Sequence, residues 1–202
     1  FQSEEEINNS PVQQFGEVKP GDMKYYDLNN DGVINSYDET AIGKSVYPEW
    51  ELGFLIDFTY KGFDLSGLFQ AQLGRDIYLG NNSLVYWPLV NDAKISTYVD
   101  TPWTEETASI AKYPRLTTQA NPNNYRSSDF WYKKADFLRL RSLELGYTLP
   151  LAKSHADAPS VRIFLQGSNL FTLSNFSFSD PETYQVGYPA MRSYNIGLNL
   201  KF

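Results

Sequence analysis

The chain has 202 residues, a formal net charge of −7 and a pI near 4.7. So acidic a surface has the wrong sign for a phosphate backbone, which excludes nucleic acid as a partner. It has no cysteine, which removes disulfides, thiolate metal sites and cysteine nucleophiles together. Aromatic residues make up 16% of it, a bias toward strands. A mean hydropathy of −0.44 and the lack of any apolar run of ~20 residues leave no transmembrane helix. A membrane β-barrel is untouched by that test, because its strands alternate.

The opening stretch "FQSEEEINNSPVQQFGEVKPGD" is polar and predicts loop over about the first twenty residues. It carries no charged-then-apolar leader and reads as the interior of a longer chain. Next comes "YYDLNNDGVINSYDE", Tyr25 to Glu39. Asp27, Asn29, Asp31, Asn35 and Asp38 fall on positions one, three, five, nine and twelve of the twelve-residue calcium loop. Gly32 sits at its sharp turn, Val33 offers a carbonyl, and Ile34 is the apolar anchor. The departure is Asp38, where a bidentate Glu is usual; its shorter arm should weaken or reshape the site. Dockerin-type modules share the pattern but carry it twice, and this chain has one copy. The competing reading is a polar turn held by Asn and Asp side chains alone.

Strand signals begin at "WELGFLIDFTYKGFDLSGLFQAQLG". Phe54, Ile56, Phe58 and Tyr60 alternate with Leu55, Asp57 and Thr59. After Lys61-Gly62, Phe63, Leu65, Gly67, Phe69, Ala71 and Leu73 alternate with Asp64, Ser66, Leu68, Gln70 and Gln72. This predicts a long hairpin with a tight turn. Residues 80–134 break the pattern with Pro88, Pro102, Pro114 and Pro122 and the tryptophans Trp87, Trp103 and Trp131, an unusual length of aperiodic chain for a compact domain. Alternation returns in "ADFLRLRSLELGYTLP", where the phase slips near Ser142 and predicts a bulge. It continues in "SVRIFLQGSNLFTL" and in the final "RSYNIGLNLKF". About five long strands result, with no convincing amphipathic helix. Their connections alternate between short (61–62, 149–160) and long (80–134, 173–189), the asymmetry of an outer-membrane barrel.

These stretches, with "KPGDMKYYDLNNDGVINSYDETAIGKSVYPEWELGF", "YKGFDLSGLFQAQLGRDIY", "DPETY" and "YPAMRSYNIGLNLKF", resemble the C-terminal part of SusC-type (SusC/RagA-like) TonB-dependent outer-membrane transporters, in order across most of residues 19–202. The resemblance implies an all-β fold, a segment of a large antiparallel transmembrane barrel of 22 strands. Residues 1–50 would be an extracellular loop segment and residues 51–202 barrel strands and loops. It implies a Gram-negative outer-membrane importer of glycans or peptides that works with a SusD-type lipoprotein lid. The TonB complex would act through an N-terminal plug that this chain lacks, and the strands near 51–60 and 190–202 would pair with the remainder of the barrel. By the family's orientation, the turns at 61–62 and 149–160 are periplasmic. The segment before residue 50 and the loops at 80–134 and 173–189 are extracellular. A structural calcium ion held by Asp27, Asn29, Asp31, the Val33 carbonyl, Asn35 and Asp38 would then stiffen an external loop.

The remaining candidates carry less. Trp87, Trp103, Trp131, Tyr113, Tyr125 and Tyr132 could stack on sugars, meet a lid protein, pack the loops together or lie in an interfacial girdle. Arg75, Asp76, Arg139, Arg141 and Arg162 are costly in lipid and should face the lumen or the rims. His155 is the sole histidine, so neither a His pair for zinc nor a catalytic constellation is present, and no enzyme is expected. The alternative function is a soluble all-β calcium-containing carbohydrate-binding module. The final strand, ending on the aromatic Phe202, speaks against it.

Overall fold

A computed structural model describes residues 1–82, 86–89, 95, 97–149, 159–183 and 187–201. His155, Phe202 and most of the 149–160 connection lie outside the described residues. In chain order the elements are α1 (Glu4–Asn8), β1 (Val12–Gln13), β2 (Val33–Ile34), β3 (Trp50–Tyr60), β4 (Phe63–Leu73), β5 (Asp76–Tyr78), β6 (Tyr132–Lys134), β7 (Phe137–Leu149), β8 (Ser160–Ser174) and β9 (Ser193–Lys201). They belong to two units. One joins Phe1–Gly43 to Tyr78–Lys133, and the other joins Lys44–Ile77 to Lys134–Phe202.

The second unit is a five-stranded antiparallel sheet in the order β3-β4-β7-β8-β9. The predicted hairpin is present, with Tyr60 opposite Phe63 and Trp50 opposite Leu73. Its turn has Lys61 at φ 48° and Gly62 at φ 85°. Two successive positive φ values match the right-handed strand twist, and glycine takes the second of them without a Cβ penalty. The Gly62 carbonyl accepts from Thr148 N at 2.8 Å, tying the turn to β7. The phase slip is also present: the β7 register shifts between Leu140 and Ser142. Against β4, Arg141 is the extra residue, and on its other side Asn169 (φ 52°) and Leu170 of β8 stand opposite it. β3 and β9 are the sheet's edges, each unpaired on its outer side among the described residues.

The first unit has a core where the sequence suggested loop. α1 starts at Ser3, whose side chain accepts from Glu6 N, the usual way an orphan amide of a first turn is satisfied. β1 and β2 pair in parallel, Val12 with Val33 and Gln13 with Ile34. At the centre Trp131 is fully buried, with Tyr113 and Tyr86 nearly so. Trp131 lies 4.8 Å from Phe130, 5.6 Å from Trp87 and 6.0 Å from Tyr125, centroid to centroid. Its indole N–H donates to the Asn124 carbonyl at 2.9 Å. Beside this cluster runs a buried polar network centred on Asp22. It accepts from Asn121 Nδ2 (3.0 Å), Asn124 Nδ2 (2.8 Å) and Lys19 N (2.8 Å), and pairs with Arg115 Nε at 2.7 Å. Gln13 extends it by donating to Asn123 Oδ1 at 2.6 Å. These bonds join segments about a hundred residues apart in sequence. Buried amides and carboxylates are tolerable only when satisfied in this way.

Candidate functional site

The strand register sorts the sheet's side chains onto two chemically distinct faces. Residues directly opposite each other share a face. One face therefore carries Trp50, Leu52, Phe54, Ile56, Phe58 and Tyr60 of β3, opposite Leu73, Ala71, Phe69, Gly67, Leu65 and Phe63 of β4. It continues through Leu138, Leu140, Leu143, Leu145 and Tyr147 of β7. Val161, Ile163, Leu165, Phe171 and Leu173 of β8 follow, then Tyr194, Ile196, Leu198 and Leu200 of β9. Most of these are exposed: Phe54 at 64%, Leu165 at 56%, Ile196 at 77%. So large a continuous apolar surface far exceeds what a water-exposed face carries. β3 has 11 residues, about 33 Å of strand at ~3.3 Å per residue. Tilted by ~40°, it spans about 25 Å, the height of the apolar band of an outer-membrane barrel. Trp50 marks one end of that band. Tyr60, Phe63 and Tyr147 mark the other, with Phe63 and Tyr147 rings 4.5 Å apart.

The opposite face is polar. It holds Glu51, Gln70, Gln72, Arg139, Glu144, Gln166, Arg162, Asn195 and Asn199. Arg162 of β8 pairs with Asp64 of β4, reaching across β7, and with Glu144 on β7 at 2.6 Å. Arg139 and Arg141 pair with Asp180 and Glu182. The strand arginines thus point away from the apolar face, as their cost in lipid demands.

The loop at 27–38 is closed by its own side chains. Asp27 Oδ1 accepts from Asn30 N at 2.7 Å and Oδ2 from Gly32 N at 2.9 Å. Asn29 Oδ1 accepts from Asp31 N, and Asp31 Oδ1 accepts from Val33 N, both at 2.9 Å. Gly32 at φ 82° makes the sharp turn. Ile34 is 2% exposed, the anchor the motif requires. It lies in β2, which pairs in parallel with β1. Val12 N takes the Gly32 carbonyl and Gln14 N the Ile34 carbonyl. Strand alternation turns the intervening Val33 carbonyl the other way. Asp38 acts as a clasp: Oδ1 accepts from Leu28 N (2.9 Å) and Oδ2 from Asn35 N (2.9 Å). The Asn35 amide, with those of Leu28 and Asn29, holds the Asp38 carboxyl below its ordinary range.

As a calcium site the donor set is suitable in kind. Residues 27–38 contain three carboxylates and no Lys or Arg. Each oxygen of Asp27 and Asp31 gives one lone pair to the loop and keeps another. Among the described residues no three His, Cys, Asp or Glu side chains are gathered as a metal cluster. The set here mixes carboxylates, Asn oxygens and a carbonyl, with Asp38 drawn toward closing the loop.

The aromatic candidates mainly pack. Trp131, Tyr113, Trp87 and Tyr125 form the core of the first unit. Tyr132 stacks on Tyr78 at 4.9 Å, and Trp103 Nε1 donates to Gln2 at 2.8 Å. Missed in the sequence were α1, the β1–β2 ladder and the Asp22 network. The run Asn121-Pro-Asn-Asn was the one available hint of the last, since clustered amides in an aromatic-rich stretch need buried partners. Arg75, next to β4, donates to Gln72 at 2.6 Å, and Asp76 accepts from Lys44 N at 2.8 Å.

No protein-family model matches the chain. It is 28% identical over 220 residues to TonB-dependent receptor P26 of Formosa agariphila, matching 100% of this chain and 21% of that protein. It is 26% identical over 190 residues to TonB-dependent receptor SusC of Bacteroides thetaiotaomicron, matching 91% of this chain and 18% of that protein. In fold it matches the RagAB peptide importer in its open-open state, with a TM-score of 0.63 and 26% identity, over 88% of this chain and 20% of that one. The chain therefore spans about a fifth of the length of these relatives, which are receptors and importers and not enzymes. With a sheet that is apolar on one side and mainly polar on the other, the chain resembles a segment of a SusC-type TonB-dependent receptor in sequence and in fold, and its place is the Gram-negative outer membrane.

Proposed function

We propose that this chain supplies wall and external loop structure to an outer-membrane nutrient importer. The importer takes up glycan or peptide with a SusD-type surface lipoprotein as lid and is driven by the TonB complex through a plug outside this chain. The observation that carries the reading is the segregation of faces: an unbroken apolar side through Phe54, Leu65, Leu145, Leu165 and Ile196 for lipid, and a side that gathers Gln70, Arg139, Glu144 and Arg162, with Leu55 and Leu68 among them, for the lumen. β3 and β9 pair with neighbouring barrel strands, because an open edge leaves backbone groups unsatisfied in lipid. The turns at 61–62 and 149–160 face the periplasm, and the segment before residue 50 and the loops at 80–134 and 173–189 lie outside. The soluble-module alternative would have to leave the whole apolar face in water.

Single cysteines in the full-length receptor test this. In a cysteine-free background, Gln70→Cys and Ser66→Cys should react with a membrane-impermeant maleimide, while Phe69→Cys and Leu65→Cys should not. Equal labelling of both sets refutes the wall reading.

The calcium reading belongs to the external unit. A calcium ion held by Asp27, Asn29, Asp31 and the Val33 carbonyl, with Asn35 and Asp38 completing the set, would order about a dozen residues, offsetting conformational entropy that a loop with little core must otherwise lose. An extracellular-type affinity with a Kd of roughly 10⁻⁴–10⁻³ M suffices outside the cell. Support comes from the loop's three uncompensated carboxylates, its Gly32 turn and its buried Ile34. Calorimetric titration of the full-length receptor with calcium should give one such site, absent in Asp27→Ala/Asp31→Ala. No calcium-dependent heat in the unmodified protein refutes it, leaving the hydrogen bonds of the side chains to hold the loop.

A further inference from the structure

The β8–β9 connection does more than join two strands. Asp180 and Glu182 come from its "SDPET" stretch and reach two arginines on the polar face of β7. Arg139 Nη2 donates to Asp180 Oδ1 at 2.6 Å, and Arg139 Nη1 donates to Glu182 Oε2 at 2.8 Å. Arg141 pairs with the other oxygen of Glu182 and also with Gln70 of β4. Arg139 Nε takes Thr172 Oγ1 at 2.9 Å. The side chain of Arg139 is 2% exposed and that of Asp180 6%. Asp180 then organises its own backbone, accepting from Glu182 N at 3.0 Å and, ten residues away, from Ala190 N at 2.9 Å. Further fastenings come from Asn169 Nδ2 to the Met191 carbonyl at 3.0 Å and Ser174 Oγ to the Asp136 carbonyl at 2.7 Å.

The bulge explains why the pair can be there. In an unbroken strand Ser142 would share a face with Leu140. The register shift at Arg141 brings Arg139, Arg141 and Ser142 to the polar side together, beneath the two carboxylates. Every donor and acceptor at the centre of the cluster is matched, the condition under which a buried ion cluster persists. Removing Asp180 leaves the buried Arg139 guanidinium with Glu182 as its one remaining carboxylate, and it also takes away the acceptor for Glu182 N and Ala190 N, so the fastening depends most on Asp180.

We propose that Arg139, Arg141, Asp180 and Glu182 form a clasp that positions the Phe176–Thr183 stretch over the polar face and so narrows the entrance along that face. The fastening stands on the contacts alone. That the covered face is a pore entrance rests on the importer reading above.

The test uses the full-length receptor in detergent and in cells, with Ser142→Cys as reporter on the polar face beside the bulge. A small maleimide should reach this thiol with or without the clasp. A maleimide carrying a bulky polymer should react slowly in the unmodified receptor. With Asp180→Asn it should react on the order of a hundredfold faster, since breaking a buried pair frees its segment. Hydrogen exchange of peptides covering Phe176–Thr183 should accelerate in parallel. Should Asp180→Asn block assembly, Glu182→Gln, at a less buried position, should give the same direction with a smaller rise. Asp180→Asn and Arg139→Gln combined should exceed neither alone, because each already breaks the same fastening. An assembled barrel in which neither variant changes exchange or bulky-reagent labelling overturns the clasp. Faster exchange without faster bulky labelling retains the fastening and overturns its role in narrowing the entrance. A Leu143→Cys thiol on the other face labelled as fast as Ser142→Cys would instead overturn the pore reading, leaving the clasp to be judged by exchange.

Discussion

The two units solve opposite problems with the same kinds of residue. The sheet turns its Phe, Leu, Ile and Tyr side chains outward and leaves them exposed, and it keeps its paired charges on the other side. The first unit turns Trp131, Tyr113 and Tyr86 inward, and next to them it buries Asp22, Asn121, Asn123 and Asn124. The difference follows from the solvent each meets. In lipid, apolar side chains gain nothing from mutual burial, and the constraint is that every backbone polar group be paired. In water, burial of aromatic area drives association, and buried polar groups must find one another.

The sharpest break between the units is expected from Trp131→Ala. Emptying a fully enclosed indole costs on the order of 3–5 kcal/mol, which should loosen the first unit while the barrel still assembles. Hydrogen exchange across 97–133, compared with the β7–β9 strands, measures it. On the sheet, Leu165→Arg faces lipid and should cost about 2–4 kcal/mol near mid-membrane, whereas Gln166→Arg, one residue along, should cost far less. Refolding titrations into lipid vesicles check the pair; equal costs would erase the distinction between the faces.

A pH titration separates the units without mutation. Burial, with a smaller contribution from Asp100, pushes the Tyr113 hydroxyl up to about 12, and burial likewise pushes Tyr125 up to about 12. The unfolded hydroxyls ionise near 10. Between pH 10 and 12 the folded unit therefore holds more protons than the unfolded chain, and its stability falls as pH rises. Near-ultraviolet spectra and exchange should show the first unit loosening in that window. Asp38 works in the opposite direction. Its lowered carboxyl stabilises the closed loop above the ordinary carboxylate range, and that contribution is lost as pH falls through its folded value. The smallest effect expected is local. Excess chelator, or Asp27→Ala with Asp31→Ala, should accelerate exchange over 27–38 and leave both the Trp131 core and the sheet unchanged. Spread of the effect to 97–133 would mean the loop is integral to the first unit's core.

The alternation of apolar and polar residues was legible without coordinates, and it determined the strands, the Lys61-Gly62 turn and the slip at Ser142. Each is a local consequence of period two and turn chemistry. The loop at 27–38 was legible for the same reason: its side chains act on amides at most ten residues away. What tertiary structure decided acts at long range. Nothing in the order of residues 80–134 says that Trp87 and Trp131 pack on one another, or that Asp22 collects Asn121 and Asn124 from about a hundred residues on. Nor does a pair of arginines two apart in a strand announce that Asp180 and Glu182 will meet them some forty residues later. Periodicity reports which face a side chain takes. Its partner across the chain is chosen only when desolvation leaves an uncompensated charge or amide that some other segment must satisfy.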